Sequence, residues 1–228
     1  MTELDLTGWT IAFDLDGTLV DSAPDLIGAL NAVLAEHNLP AVAVEDARHM
    51  VGHGARAMME KGFAAAGRVF PADQGPALVE RFIELYLPII ARETRPFEGC
   101  LETLQTLLDA GATLVVCTNK RTGLSNALLK ALDMERYFAA VVGADDAPAP
   151  KPDARHLLYS IEESDGDPEL SLMVGDSRTD LGAARNAGIP VALFSFGYSD
   201  VPQAELGADA VLDHYDQLIP WIAERTGQ

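Results

Sequence analysis

Apolar residues along this chain follow two alternating rhythms. Short, nearly unbroken apolar runs rich in β-branched residues recur at Thr10–Asp14, Thr113–Cys117, Ala140–Gly143, Ser171–Gly175, Pro190–Phe194 and Ala210–Leu212, bounded by Gly, Asp or Asn. Runs that are apolar at consecutive positions suit strands buried on both faces of a parallel sheet. Between them, a helical spacing covers Leu101–Ala110, Thr122–Leu132, Ala154–Ser160, Leu181–Ala187 and Tyr215–Arg225. Gly111 and Gly188 stand where helix C-terminal stops belong. This strand–helix–strand alternation predicts an α/β protein with a doubly wound, Rossmann-like, mostly parallel sheet.

One interval departs from that rhythm. From about Val20 to Arg95 the pattern is helical throughout and offers no convincing strand. Pro24 to His37 reads as one helix with Pro24 near its first turn. Ala47–Ala66 and Pro76–Ala91 read as others, with breaks at Asn38–Pro40 and Gly67–Gly75. The expected organisation is a catalytic core of residues 1–20 and 96–228, with residues 21–95 inserted as an all-helical cap. Such an insertion after the first strand sits over the strand's carboxyl end, where open α/β sheets bind ligands. Its crossings near Val20–Ala23 and Thr94–Phe97 are natural hinges. There is no internal repeat.

Composition narrows the classes of partner. The 228 residues are 48% hydrophobic, enough for a sizeable core, and carry a formal charge of −19 from 35 acids against 16 bases. That balance opposes sequence-independent binding to nucleic acid and to anionic membranes. No segment approaches the length of a membrane span. The first eight residues carry acids and no basic or long apolar stretch, so no signal peptide is expected and the cytoplasm is the default. Cys100 and Cys117 show no metal or redox spacing, and Cys117 reads as a small buried hydrophobe. Monomer and homodimer are both compatible with the chain.

The chemistry-bearing residues gather at the ends of successive strands. Asp14-Leu15-Asp16-Gly17-Thr18 closes the first, Thr118-Asn119-Lys120 the second, Lys151-Pro152 follows the third, and Gly175-Asp176-Ser177-Arg178-Thr179-Asp180 closes the fourth. In a parallel sheet all four lie on one edge. Asp14 and Asp16, two residues apart at a strand end, are expected to point the same way while Leu15 turns to the core. Crowded carboxylates serve a hard cation, a phosphoryl-directed nucleophile and proton transfer better than they serve stability. Each segment also has a plain structural reading. Thr118 suits a helix N-cap, Lys151 a solvated lysine, and Asp176 to Asp180 a turn entering a helix. Their coincidence on one edge favours a site.

The set resembles the haloacid dehalogenase-like hydrolase superfamily over essentially the whole chain, with its four motifs in order as Asp14-Leu15-Asp16-Gly17-Thr18, Thr118, Lys151 and Gly175–Asp180. Within it, Asp14–Ser22, Val51–Ala57 and Cys117–Lys120 look most like phosphoglycolate phosphatases. Ala154 departs from the second proline many relatives carry after the lysine-proline pair. The resemblance implies an Mg²⁺-dependent phosphatase acting on a small phosphorylated metabolite, most simply 2-phosphoglycolate. Asp14 is then the nucleophile that becomes an aspartyl phosphate, and Asp16 the acid and base. It implies a cation held by the Asp14 carboxylate, the Asp16 backbone carbonyl and Asp176. Thr118 and Lys151 would donate to the phosphoryl oxygens, Asn119 would position phosphate or nucleophile, and Asp180 would orient Lys151 or a metal-bound water.

Gly52-His53-Gly54-Ala55-Arg56-Ala57 formally fits a dinucleotide fingerprint, but it follows a helical pattern and not a strand. A cap loop reaching the substrate fits better, making Gly52, His53, Gly54 and Arg56 candidate specificity residues; a plain interhelical turn is the alternative. Other readings of the chemistry are a sugar-phosphate phosphatase, a phosphosugar mutase, a phosphonate hydrolase and a silent phosphate-binding protein. Phosphonate cleavage by this superfamily uses a Schiff-base lysine, for which Lys61 is the one lysine of the cap region. Asp16 argues against dehalogenation, whose enzymes lack that second acid.

Overall fold

The structure, a computed structural model, describes residues 4–52 and 54–227. Six parallel strands form its sheet: β1 Thr10–Phe13, β4 Thr113–Thr118, β5 Ala140–Gly143, β6 Ser171–Gly175, β7 Val191–Phe194 and β8 Ala210–Leu212. Their spatial order is β5-β4-β1-β6-β7-β8. The chain therefore winds outward from β1 in one direction, returns, and winds outward in the other. The reversal lies between β1 and β6, the topological switch point of a doubly wound sheet.

Burial on both faces explains why the strands read as continuous apolar runs. Ile11 and Phe13, Leu114 and Val116, Leu172 and Val174, and Ala192 and Phe194 belong to one core cluster. The intervening Ala12, Val115, Cys117, Met173, Val191 and Leu193 belong to the other. Period-two alternation thus divides one sheet between two cores. The second core is closed by helices α7 (Ala154–Glu162) and α8 (Arg178–Ala187), which pack on each other. The first receives α5 (Cys100–Asp109), α6 (Thr122–Ala131) and α9 (Leu218–Thr226).

Between β1 and β4 the chain makes α1 (Ala23–Glu36), α2 (Val44–Ala47), α3 (Ala55–Ala65) and α4 (Gly75–Tyr86). In α1, Pro24 occupies the first turn, and Leu26, Ile27, Leu30, Val33 and Leu34 make one buried face that packs on α4. Two details differ from the sequence reading. A short antiparallel pair, β2 (Val20–Asp21) and β3 (Arg95–Pro96), ties the two crossing points together, with Val20 opposite Pro96 and Asp21 opposite Arg95. Two residues are too few for a strand rhythm to register. The stretch Ala47–Ala66 is also not one helix: after a 3-10 turn at Arg48–Met50 the chain breaks before α3 starts at Ala55. Among the described residues no helix is long and apolar enough to cross a membrane.

Two glycines make room where the strand ends crowd. Gly17 has φ +87°, and a Cβ there would stand 2.7 Å from the Asp176 carboxylate and 2.8 Å from the Tyr198 ring. At Gly197 a Cβ would fall inside the Asp176 side chain. Gly197→Ala is expected to cost about 1–3 kcal/mol, the price of overpacking a site whose neighbour cannot yield. Urea denaturation checks this: the midpoint should fall with no change in slope.

Candidate active site

The four strand-end segments converge as the parallel register requires. Asp14, Asp16, Thr118, Asn119 and Lys151 all line one cleft of about 490 Å³, whose opposite wall includes Val51, Gly52, Phe82 and Tyr86 from the helical segment. Asp176 and Asp180 lie behind the Asp14 side, where ligand oxygens of Asp14, Asp176 and Asp180 fall within 4.8 Å of one another. Asp14, Asp16, Asp176, Asp180, Lys120 and Lys151 are all buried. Four carboxylates thus face two ammoniums.

Each lysine serves a different acid. Lys151 Nζ, fully buried, donates to the Asp180 carboxylate (2.6 Å) and the Cys117 carbonyl (2.6 Å), and stands 3.1 Å from Asp14. Burial alone would favour its neutral form, but Asp14 and Asp180 outweigh that and raise its pKa. Lys120 Nζ donates to both oxygens of Asp16 at 3.1 and 3.0 Å, and Ser22 Oγ adds a third bond to that carboxylate at 2.5 Å. Leu15, between the two acids, is fully buried in the core, as alternation predicts.

Desolvation dominates on the acid side. Asp14 has its pKa raised by burial, against the opposing pull of Lys151. Asp176 is raised well above the usual carboxylate range by burial and then by Asp180 and Asp14. Asp176 is held by Thr18 Oγ1 (2.9 Å) and the Tyr198 amide (2.6 Å). Asp180 is committed elsewhere. One oxygen takes Lys151, while the other accepts from the amides of Asp176 (3.2 Å) and Ser177 (3.0 Å) and from Ser177 Oγ (2.7 Å). This capping geometry at the start of α8 fixes Asp180 as the anchor of Lys151.

Lys151 is also gripped by its backbone. Asn119 Oδ1 accepts from the Lys151 amide (2.9 Å) and Asn119 Nδ2 donates to its carbonyl (3.1 Å). The same Nδ2 reaches the Gly52 carbonyl at 3.4 Å, so Asn119 joins the sheet edge to the loop before α3. Its amide is spent on positioning. Thr118 Oγ1 accepts from the Lys120 amide at 3.3 Å, and its residue lines the cleft. Gly54 and Arg56 also line it, with Arg56 half-exposed and paired to Glu60 at 2.9 Å. His53 lies outside the described residues.

Several residues of this site were not anticipated from sequence. Lys120 was visible only as the neighbour of Thr118 and Asn119. Tyr198 joins distant parts: its amide binds Asp176, while its hydroxyl donates to Asp21 (2.5 Å) and accepts from the Ala23 amide (3.0 Å) beside the β2–β3 crossing. Asp21 in turn takes a bidentate pair from Arg48 at 2.8 and 3.0 Å.

His156, on the buried face of α7, completes the grip on Lys151. The Lys151 amide donates to Nδ1 (3.1 Å), so Nδ1 carries a lone pair and the ring proton sits on Nε2, facing the Val142 carbonyl (3.2 Å). Burial, and then Lys151, push the His156 pKa down to about 4. As pH falls below 6.5, the unfolded chain takes up a proton that the folded protein refuses until about pH 4. Stability is therefore lost across that window, by about 3 kcal/mol from this residue alone. His156→Asn, which keeps an acceptor for the Lys151 amide, is expected to remove that share of the acid sensitivity. Denaturant titrations of both proteins at pH 4 to 7 check this; parallel curves would rule it out.

Comparison with known proteins places this geometry. The family model for haloacid dehalogenase-like hydrolases matches residues 11–194. A phosphoglycolate phosphatase from Caulobacter vibrioides is 56% identical over 211 residues, covering 92% of this chain and 89% of the relative. One from Agrobacterium fabrum is 46% identical over 213 residues, covering 93% and 91%. Among solved structures, a predicted phosphoglycolate phosphatase from Haemophilus somnus 129PT superposes with a TM-score of 0.86 at 28% identity, covering 96% of this chain and 99% of that one. The strand order, the acids at the switch point and these similarities agree, and the chain belongs to the haloacid dehalogenase-like hydrolase family.

Proposed function

We propose that this chain is a Mg²⁺-dependent phosphomonoesterase that hydrolyses 2-phosphoglycolate to glycolate and phosphate. The observation that carries the chemistry is the pairing of Asp14 with Lys151 and of Asp16 with Lys120, two buried acids in one cleft with separate partners. The substrate rests on the relatives named phosphoglycolate phosphatase, which cover more than nine-tenths of the chain.

In this reading a carboxylate oxygen of Asp14 attacks phosphorus, forming an aspartyl phosphate as the ester P–O bond breaks. Asp16, in the fraction of the enzyme where it carries a proton in place of one of its donors, gives that proton to the departing oxygen, which leaves as the alcohol. Asp16, now a carboxylate, takes a proton from water as that water attacks the same phosphorus, releasing phosphate and restoring Asp14. Thr118 Oγ1 and Lys151 Nζ supply donors where negative charge accumulates on the phosphoryl oxygens. Asp180, Asn119 and His156 act through Lys151 by fixing its head and its backbone. Residues 21–95 serve as a cap on a core of residues 1–20 and 96–228, closing the cleft against water.

The donor set fits a hard divalent cation. Four buried carboxyl groups stand against two ammoniums, and the raised acids Asp14 and Asp176 face each other with oxygen ligands only. Held by the Asp14 carboxylate, the Asp16 backbone carbonyl and Asp176, Mg²⁺ would supply the positive charge that lets an anionic nucleophile meet an anionic phosphate.

Two measurements test this. Phosphate release from 2-phosphoglycolate and a panel of sugar phosphates should require Mg²⁺, favour phosphoglycolate, and fall by roughly 10³-fold or more in Asp14→Asn. Activity spread over sugar phosphates would retain the mechanism and overturn the substrate; none at all would point to silent binding. Separately, Mg²⁺ should raise the melting temperature more at pH 8 than at pH 5. Protons compete for Asp14 and Asp176, whose raised pKa values make them poorer ligands as pH falls.

A further inference from the structure

Lys120 has no task in the chemistry above beyond its contact with Asp16, yet its ammonium is buried in the cleft wall. Two of its three N–H bonds are spent on Asp16. The ammonium also lies 4.7 Å from the centre of the Tyr86 ring, which arrives from the last residue of α4 in the helical segment. The Tyr86 hydroxyl is buried with its oxygen drawn to the Lys120 ammonium in a contact short of a regular hydrogen bond, and its own proton meets no acceptor. A buried O–H without an acceptor is costly, and native structures rarely keep one without a use.

The other cations lining the cleft are matched. Lys151 is enclosed by Asp180, Asp14 and the Cys117 carbonyl, Arg56 is paired with Glu60, and Arg121 with Glu80. What remains beside Asp16 is a phenol whose O–H has no acceptor, set against an ammonium shared with Asp16. Together they are suited to an anion that a substrate brings with it.

The shape of the ester says where such an anion falls. Asp16 must reach the ester oxygen to protonate it. In a phosphorylated 2-hydroxy acid that oxygen is bonded to a carbon whose next neighbour is a carboxylate. The carboxylate therefore lies beside what touches Asp16, and of the two side chains that do, Ser22 and Lys120, it is Lys120 that lines the cleft and carries positive charge. We propose that Lys120 Nζ and Tyr86 Oη form the subsite for a carboxylate carried one carbon from the ester oxygen. Resting on the phosphomonoesterase reading, this sets the substrate class as short phosphorylated 2-hydroxy acids. A neutral ester leaves the Tyr86 hydroxyl unmatched, and a site built around a polar partner discriminates strongly against an analogue lacking it.

The test compares kcat/KM for 2-phosphoglycolate with kcat/KM for ethyl phosphate, a neutral-tailed ester of similar length. Lys120→Met should lower that ratio about 30-fold or more, whatever happens to either rate alone, while Lys120→Arg should keep most of it. Tyr86→Phe should lower the ratio roughly fivefold through KM, with little change in melting temperature, because the hydroxyl removed makes no regular hydrogen bond in the free protein. If Lys120→Met does not fold, Tyr86→Phe decides. Equal losses for both esters would overturn the subsite and leave Lys120 a partner of Asp16 alone. A wild type that turns over both esters equally well would overturn it too. Failure of the phosphatase reading looks different: no turnover of either ester. Calorimetry on Asp14→Asn then still decides the subsite. The expected result is 2-phosphoglycolate binding at least about tenfold tighter than ethyl phosphate, an advantage lost on adding Lys120→Met; equal affinities would overturn it.

Discussion

Taking four carboxylates out of water with only two ammoniums to face them is the constraint around which this molecule is arranged. Unpaired, each buried charge would shift its pKa and neutralise, and Asp14 and Asp176 are pushed in that direction. The chain limits the cost by placing each ammonium accurately. Lys151 is held by the Asp180 carboxylate, the Cys117 carbonyl, both faces of the Asn119 amide and the His156 ring. These partners come from the ends of three different strands and the helices that follow them.

The doubly wound sheet supplies that accuracy. Its parallel strands end on one edge, and β1 and β6 are neighbours at the reversal of winding, so Asp14 and Asp176 are brought together by hydrogen-bonded register. Tyr198 extends the arrangement outward. Its backbone holds Asp176, and its hydroxyl holds Asp21 and the Ala23 amide where the helical segment departs. The acid at the sheet edge and the base of the helical segment are thus connected through one residue.

Much of this was legible in the sequence, for a physical reason. Strands buried on both faces leave unbroken apolar runs, and a parallel sheet makes the residue after each run a candidate for one shared edge, so the sequence alone points Asp14, Thr118, Lys151 and Asp176 to one place. The pair β2 and β3 left no signal, being two residues each. Residues 47–66 read as one helix because the apolar spacing of Met58, Met59 and Phe63 continues that of Ala47, Met50 and Val51 across the break. His156 and Tyr86 sit at ordinary helical core positions, where a polar atom looks like an incidental part of an apolar face. Their partners, Lys151 and Lys120, lie on other elements, and only the folded chain shows which polar atoms are spent and which are not.

The two acid–lysine pairs look alike and differ in one respect that matters for function. Lys151 is surrounded by groups of the sheet edge and its following helices, so its position is independent of α4. Lys120 has the sheet's Asp16 on one side and Tyr86 of α4 on the other. Its surroundings are complete only when the helical segment is in place. The first pair therefore belongs to the sheet edge and its following helices, and the second spans the boundary between sheet and helical segment. A group bound there contacts both sides at once and stabilises the arrangement that holds it.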